Sequence, residues 1–138
     1  MIPDWPPGTV AILVTAGPHA IPVSTARRAG PTAVLLALGP RRGSLARLRE
    51  DPRCALAVIA AGTAVTLRGR ATEVGEAAGT VAIRLDVEAV DDHAQPTFAI
   101  HEGVRWEWTD AAAAERDEQV RAALQRLEDG PPDVLVDD

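Results

Sequence analysis

The 138-residue chain contains no lysine, asparagine or tyrosine, and its only cysteine is Cys54. A single cysteine excludes an intramolecular disulfide and cannot by itself build a cysteine-based zinc site. No run approaches the ~20 apolar residues of a membrane-spanning helix, and the N-terminus has no basic region followed by an apolar one. We therefore expect a cytoplasmic protein without a signal peptide.

Since lysine is absent, all 14 basic residues are arginines, and 20 acidic residues bring the net charge to -6. This balance argues against a nonspecific nucleic-acid-binding protein. The length suits one domain, residues 1–138, but 26 residues are alanine and only four are aromatic. Such a core gives modest stability to a single chain, and burial of a further face in a dimer would add to it.

Short apolar runs ended by glycine or proline predict strands along most of the chain. The alternation of apolar and polar residues is clearest in the fifth and sixth of them, and the first three are expected to form an antiparallel meander. A last strand region is predicted over 97–108, where Val104, Trp106 and Trp108 alternate with charged residues. The six earlier strands are predicted at 10–14, 20–25, 33–38, 55–59, 65–72 and 81–88.

Two helices complete the prediction. Ser44 is the expected N-cap of a short helix that Pro52 stops, and Asp110 is the expected cap of a helix over 111–128. The order of elements predicts a mainly β (α+β) fold, a closed or nearly closed antiparallel barrel that carries two helices. The barrel is expected at about 8–108, the C-terminal helix at about 110–129 and an acidic tail at 131–138.

The run Arg41-Arg42-Gly43-Ser44, between a strand and a helix, has the composition of an anion site. A helix N-terminus offers unpaired backbone N–H groups and a partial positive charge. The Arg42 guanidinium can hold a phosphate in a bidentate manner, the Ser44 hydroxyl can donate to it, and Arg47 lies one turn further on. The alternative is an ordinary surface helix with solvated arginines.

Other candidate residues point to structure rather than chemistry. His19, His93 and His101 are too scattered for a metal site, so none is expected. Cys54 opens an apolar strand and is expected in the core rather than as a nucleophile. The chain has neither a Gly-x-Ser-x-Gly elbow nor a P-loop.

Three stretches together resemble the pyridoxamine 5'-phosphate oxidase-like, FMN-binding split-barrel family. They are Pro22-Val23-Ser24-Thr25, the run from Arg41 to Arg53 that ends in Leu-Arg-x-Asp-Pro-Arg, and Leu67-Arg68-Gly69-Arg70-Ala71. The similarity covers about residues 5–108. It implies a six-stranded antiparallel split β-barrel with a short helix after strand 3. It also implies a homodimer with two FMN sites in the subunit interface.

The resemblance implies roles for particular residues. Ser24 and Thr25 match the strand segment that lines the flavin, and the third strand, with Leu36, matches the strand beside the isoalloxazine ring. Arg42 matches the arginine that grips the phosphate, with Arg41, Ser44 and Arg47 beside it. Trp106 is expected either to cover a flavin edge, that of the partner subunit included, or to belong to an interface core under the C-terminal helix.

Two departures from the family pattern affect the expected function. Ser44 stands where the family often has lysine, and Arg47 where it often has asparagine. The chain also lacks the Arg-Leu-x-Pro motif of the true oxidase's substrate clamp, which argues against oxidation of pyridoxamine phosphate. The resemblance thus favours a flavin-dependent oxidoreductase acting on an unidentified small molecule. A non-catalytic carrier of flavin, F420 or haem, and a purely structural dimer module, are the alternatives.

Overall fold

A computed structural model describes residues 2–129, so the predicted acidic tail at 131–138 lies outside the described residues. The chain forms seven strands and two helices in that range. The first part comprises β1 (Ala11–Thr15), β2 (His19–Val23), β3 (Arg27–Arg28), β4 (Ala33–Leu38) and α1 (Gly43–Glu50). The second comprises β5 (Arg53–Ala60), β6 (Thr63–Ala77), β7 (Thr80–Asp92) and α2 (Ala111–Asp129). Neither helix is long and apolar enough to cross a membrane.

The seven strands form one sheet in the order β2-β1-β5-β6-β7-β4-β3, with every neighbouring pair antiparallel. In a flat sheet the two edge strands would be about 29 Å apart, at about 4.8 Å for each of six spacings. However, β2 ends at Val23 and β3 begins at Arg27. Four residue steps reach at most about 14 Å, so the sheet must curl until its edges approach each other. The predicted mainly β split barrel is confirmed.

The structure corrects the strand count from six to seven, one predicted pairing and one strand boundary. The first three predicted strands do not form a meander, because β4 pairs with β7 rather than with β2. In addition, β6 does not end before Gly75 but continues to Ala77 through an irregularity in its pairing with β7. Local alternation marks a strand but says nothing of its partner, so long-range pairing escapes sequence patterns.

The predicted strand region 97–108 is wrong, because this segment has no regular structure. Alternation of apolar and charged residues reports an extended chain with two faces, but a strand also needs a partner for its backbone groups. The segment is held by separate contacts instead. The Gly62 amide donates to the Ile100 carbonyl at 2.9 Å, and the Trp106 indole donates to the Gly8 carbonyl at 3.0 Å.

The apolar side chains are divided between two clusters. Val34, Leu36 and Leu38 of β4 point into the barrel and pack with its main core. Leu35, on the opposite face of β4, packs with Val120 and Leu124 of α2. The helix α2 therefore covers the outside of the barrel beside β4, as the period-two geometry of a strand requires.

A β-bulge bends the long β6–β7 hairpin at Gly69. Arg68 pairs with Ala89 and Gly69 with Val87, which leaves Glu88 as an extra residue on β7. The two backbones approach so closely there that a Cβ atom on Gly69 would lie 1.9 Å from the carbonyl oxygen of Asp86. Only glycine fits this position without a backbone shift.

We predict that Gly69→Ala lowers the free energy of unfolding by about 2–3 kcal/mol, because the added methyl group overlaps backbone rather than a movable side chain. Urea denaturation followed by circular dichroism measures this change. Gly43→Ala is the matched control, since nothing lies within 4 Å of the Cβ position there. The control should be neutral or stabilising. Equal effects of both variants would contradict the role assigned to Gly69.

Candidate functional site

The turn that leads from β4 into α1 places Arg41, Arg42, Gly43 and Ser44 at the helix N-terminus. The Arg42 amide donates to the Gly39 carbonyl at 3.1 Å, and the helix begins at Gly43. Arg42 itself is the N-cap residue, with extended backbone (φ -71°, ψ 138°) and no side-chain capping bond. The prediction that Ser44 is the N-cap is therefore wrong, because Ser44 lies within the first helical turn.

This helix N-terminus has unused hydrogen-bonding groups. Among residues 2–129, neither the Gly43 amide nor the Ser44 amide has an acceptor, as expected of the first turn of a helix. The Ser44 side chain is only 1% exposed, and its Oγ has no hydrogen-bond partner. A buried hydroxyl without a partner costs about 1–3 kcal/mol of stability. A bound ligand that accepted from or donated to the Ser44 hydroxyl would supply the missing hydrogen bond.

Three arginines in and beside this turn have no acidic partner among the described residues. Arg41, Arg42 and Arg47 are exposed, and within residues 2–129 no carboxylate lies within 4.0 Å of their guanidinium groups. Eight other arginines are ion-paired within the same range. The Arg47 side chain reaches the β1–β2 turn, where its Nη1 lies 3.6 Å from the Cβ position of Gly17. The turn is thus a local positive region in an acidic protein.

Ser24 and Thr25 lie in the link between β2 and β3 and are both partly buried. The Thr25 Oγ1 accepts a hydrogen bond from the Ala37 amide at 3.0 Å, which fixes Thr25 beside the end of β4. The Ser24 hydroxyl instead donates to Oδ1 of Asp117 on α2 at 3.4 Å. The structure therefore brings Thr25 to the same end of β4 from which the Arg41–Ser44 turn departs, whereas Ser24 faces the helix.

Leu36 and Trp106 have different surroundings from those of the arginines. The Leu36 side chain is fully buried in the barrel core, so a ring outside the barrel would meet only its backbone. Trp106 is partly buried and makes an edge-to-face contact with Trp108, with ring centroids 5.0 Å apart. Its hydrogen bond to Gly8 places it against the N-terminal segment, and no described contact joins it to the Arg41–Ser44 turn.

A cavity of about 580 Å³ lies beside Thr25. The N-terminal segment, the β2–β3 link with β3, and α2 form its walls, and Thr25 is the one predicted site residue among them. Sequence reasoning missed this cavity. The available signals were Trp5, a large aromatic in an aromatic-poor chain, and Asp117 with Arg121, an acid and a base at helical i, i+4 spacing.

Among the described residues, no group of three or more His, Cys, Asp and Glu side chains is placed to hold a metal ion. Cys54 is partly buried on β5, and burial raises the pKa of its thiol to about 11. That shift leaves almost no thiolate at neutral pH, in keeping with the core role expected of this residue.

No family model matches the chain, and no curated protein matches it. Solved structures do. A Listeria innocua protein assigned provisionally as a pyridoxamine 5'-phosphate oxidase matches with TM-score 0.52 and 13% identity, over 62% of this chain and 88% of that one. A FAD-binding protein from Mesorhizobium loti matches with TM-score 0.53 and 16% identity, over 59% and 83%. An F420 reductase matches with TM-score 0.53 and 13% identity, over 61% and 90%.

The chain has the split-barrel fold of these proteins. The resemblance noted in the sequence is thereby confirmed at the level of architecture, and some structures of this fold are those of flavin or deazaflavin proteins. At such low identity, the fold alone carries over. Function has to be argued from the residues of this chain, because one fold supports several chemistries.

We predict that Cys54 reacts with a thiol reagent about a hundredfold more slowly in the native protein than in urea, because its pKa of about 11 exceeds the ordinary value of 9.0. Native labelling should accelerate as the pH rises from 7 towards 10. Absorbance after addition of an aromatic disulfide measures both rates. Equal rates in native and unfolded protein would show that the thiol is neither buried nor inert.

Proposed function

We propose that the chain binds FMN, with its phosphate at the N-terminus of α1, and acts as a flavin-dependent oxidoreductase on a small molecule. The observation that carries this proposal is the Arg41–Ser44 turn. Within residues 2–129, it combines two amides without acceptors, a buried hydroxyl without a partner and adjacent guanidinium groups without carboxylates. A bound dianion is the kind of ligand that would be a partner for all of these groups.

The residues present fit a phosphate group. The partial positive charge of the helix and the free amides of Gly43 and Ser44 favour an anion at this point. Arg42 is suited to bidentate contact with phosphate oxygens, and Arg41 and Arg47 add positive charge on either side. The hydroxyl of Ser44 would replace the lysine that the family often has, as a neutral donor in place of a cation.

The rest of the cofactor would extend along the end of β4. Thr25 is fixed there by its bond to the Ala37 amide, and the β4 backbone at Leu36 would form the wall beside the ring. Trp106 is proposed to act from the partner subunit, since its own contacts lie at Gly8. When bound, FMN would supply hydride transfer, while the protein would anchor its phosphate, orient it and exclude water.

Non-catalytic binding of FMN, F420 or haem is the second candidate function. It is favoured by the absence of an acidic residue or histidine from residues 41–47, which leaves no general acid or base within the turn. F420 also carries a phosphate-bearing side chain, so the same anion site would serve it. Turnover separates the candidates: a flavin-loaded protein that oxidises no donor, reduced nicotinamide included, would be a carrier.

We also propose that the protein is a homodimer through the outer faces of β1, β2 and β5. Ile12 of β1 lies directly opposite Pro22 of β2 and Ala57 of β5, and Val14 lies opposite Ala20 and Ala55. All these outward side chains are apolar, and none carries a charge. A strand that is apolar on both faces is typical of a strand covered on both sides.

The neighbouring strands show the contrast. The outer faces of β6 and β7 carry ion pairs, Arg68 with Asp91 at 2.8 Å and Arg70 with Glu88 at 3.4 Å. The apolar face instead continues at Ile59, which is 52% exposed. Val104 extends it, because the preceding residue, Gly103, closely approaches the Ile59 carbonyl. An uncharged apolar surface of this kind suits an isologous interface with a second copy.

For the cofactor, we predict that Arg42→Ala weakens FMN binding about ten- to hundredfold, because a charge-assisted contact contributes about 1.5–3 kcal/mol. Quenching of flavin fluorescence during titration measures the affinity. Arg105→Ala is the matched control, since Arg105 is exposed and, in the part of the chain that the structure describes, is paired only with Glu102. No FMN binding at micromolar concentration by the unaltered protein, or unchanged affinity of Arg42→Ala, would contradict the proposed phosphate position.

Ser44→Ala provides a second readout at the same site. In the absence of cofactor it should raise the free energy of unfolding by about 1 kcal/mol, because it removes a buried hydroxyl without a partner. It should nevertheless weaken FMN binding. Ser24→Ala is the stability control and should be destabilising, because its hydroxyl is bonded to Asp117. A Ser44→Ala variant of unchanged affinity would show that the hydroxyl does not contact the phosphate.

For the assembly, we predict that Ile12→Glu, alone or with Ile59→Glu, converts a dimer into a monomer, since each substitution buries an unpaired charge in the interface. Sedimentation velocity at micromolar concentration measures the change. Thr72→Glu is the matched control, because it adds the same charge to the outer face of β6, opposite Arg84. A monomeric unaltered protein, or a dimer insensitive to Ile12→Glu, would contradict this interface.

A further inference from the structure

The cavity between the N-terminal segment and α2 has an apolar floor. Trp5 is only 7% exposed, and its indole nitrogen donates to the Ala26 carbonyl at 2.9 Å, so the ring offers only apolar surface to the cavity. Pro7 and Ala26 extend this surface. At about 580 Å³ the cavity falls within the range of about 300–1,000 Å³ that is usual for small-molecule sites.

Charged side chains line the cavity, and two of its three arginines are neutralised by the protein. Arg27 is paired with Glu128 at 2.8 Å. Arg121 is paired with Asp117 at 3.0 Å. The first pair joins β3 to α2, whereas the second lies within α2. Both leave their members little capacity to attract a ligand's charge.

The third arginine and two carboxylates are not neutralised. Arg28 donates its Nε to the Gly30 carbonyl at 3.1 Å, and no carboxylate between residues 2 and 129 lies within 4.0 Å of it. Asp4 and Glu118 likewise have no cationic group within 4.0 Å in that part of the chain, although Asp4 accepts the amide of Trp5. The cavity therefore offers one uncompensated cation and two uncompensated anions around an apolar floor.

This pattern selects a ligand by charge. A simple anion would satisfy Arg28 but would meet repulsion from Asp4 and Glu118, and a simple amine would leave Arg28 without a partner. A molecule that carries both an anionic group and an amine would pair with Arg28 and with the two carboxylates, and its apolar part would pack on Trp5. We propose that this cavity binds a small zwitterion with an ammonium and a carboxylate group on an apolar body, of the size of an aromatic α-amino acid.

This inference does not depend on FMN binding at α1, because the cavity shares only Thr25 with the residues assigned there. The two sites can therefore be tested separately, on cofactor-free protein. Failure of FMN binding would leave the cavity proposal standing, and failure at the cavity would leave the cofactor proposal standing.

The experiment compares L-phenylalanine with two molecules that each lack one charged group, 3-phenylpropionate and phenethylamine. Isothermal titration calorimetry of the cofactor-free protein measures each affinity. We expect L-phenylalanine to bind at least about tenfold more tightly than either analogue, since each charge-assisted contact is worth about a factor of ten or more. Arg28→Gln should lower the affinity for L-phenylalanine without changing that for phenethylamine.

Glu118→Gln provides the reciprocal variant and should weaken L-phenylalanine and phenethylamine but not 3-phenylpropionate. Arg116→Gln is the control, because it removes a charge from α2 at a position that does not line the cavity. Thermal melts by circular dichroism confirm that all variants are folded. No binding of L-phenylalanine up to about 10 mM, or equal affinity for the three molecules, would overturn the proposal.

Discussion

The short link between β2 and β3 is the constraint on which the rest of the structure depends. Because Val23 and Arg27 are only four residues apart, the two outermost strands of a seven-stranded sheet must meet, and the sheet becomes a barrel. The bulge at Gly69 supplies curvature in the long β6–β7 hairpin. Closure then carries Thr25 to the end of β4 and opens the space between the link, the N-terminal segment and α2.

The distribution of charge over this barrel is uneven in a way that the fold alone does not require. Outer positions on β6 and β7 are occupied by arginine–carboxylate pairs, while outer positions on β1, β2 and β5 are apolar. Exposed ion pairs contribute little to stability, but they keep one half of the surface hydrated. Burial in an interface would therefore stabilise the apolar half most. A bound anion would stabilise the surface most at Arg41, Arg42 and Arg47.

Solved structures of this fold include an F420 reductase and a FAD-binding protein. A shared barrel therefore does not decide the ligand of this chain, and local chemistry must. Here that chemistry is a buried hydroxyl and two free amides beside exposed guanidinium groups, which favours a phosphate-bearing cofactor. The cavity beside Trp5 has a different character, since three of its six charged lining residues, Arg27, Arg121 and Glu128, are already paired within the protein.

Local patterns in the sequence determined six of the seven strands, the short helix stopped before Pro52, the C-terminal helix and the anion-binding composition of Arg41–Ser44. Each depends on neighbours within a few residues, through side-chain periodicity, capping and proline geometry. Tertiary structure decided the pairing of β4 with β7, the irregular course of 97–108, the burial of Ser44 and Leu36, and the cavity beside Trp5. These features depend on residues far apart in the chain, and the alternation of Val104, Trp106 and Trp108 could not reveal that this segment pairs with no strand of the described residues.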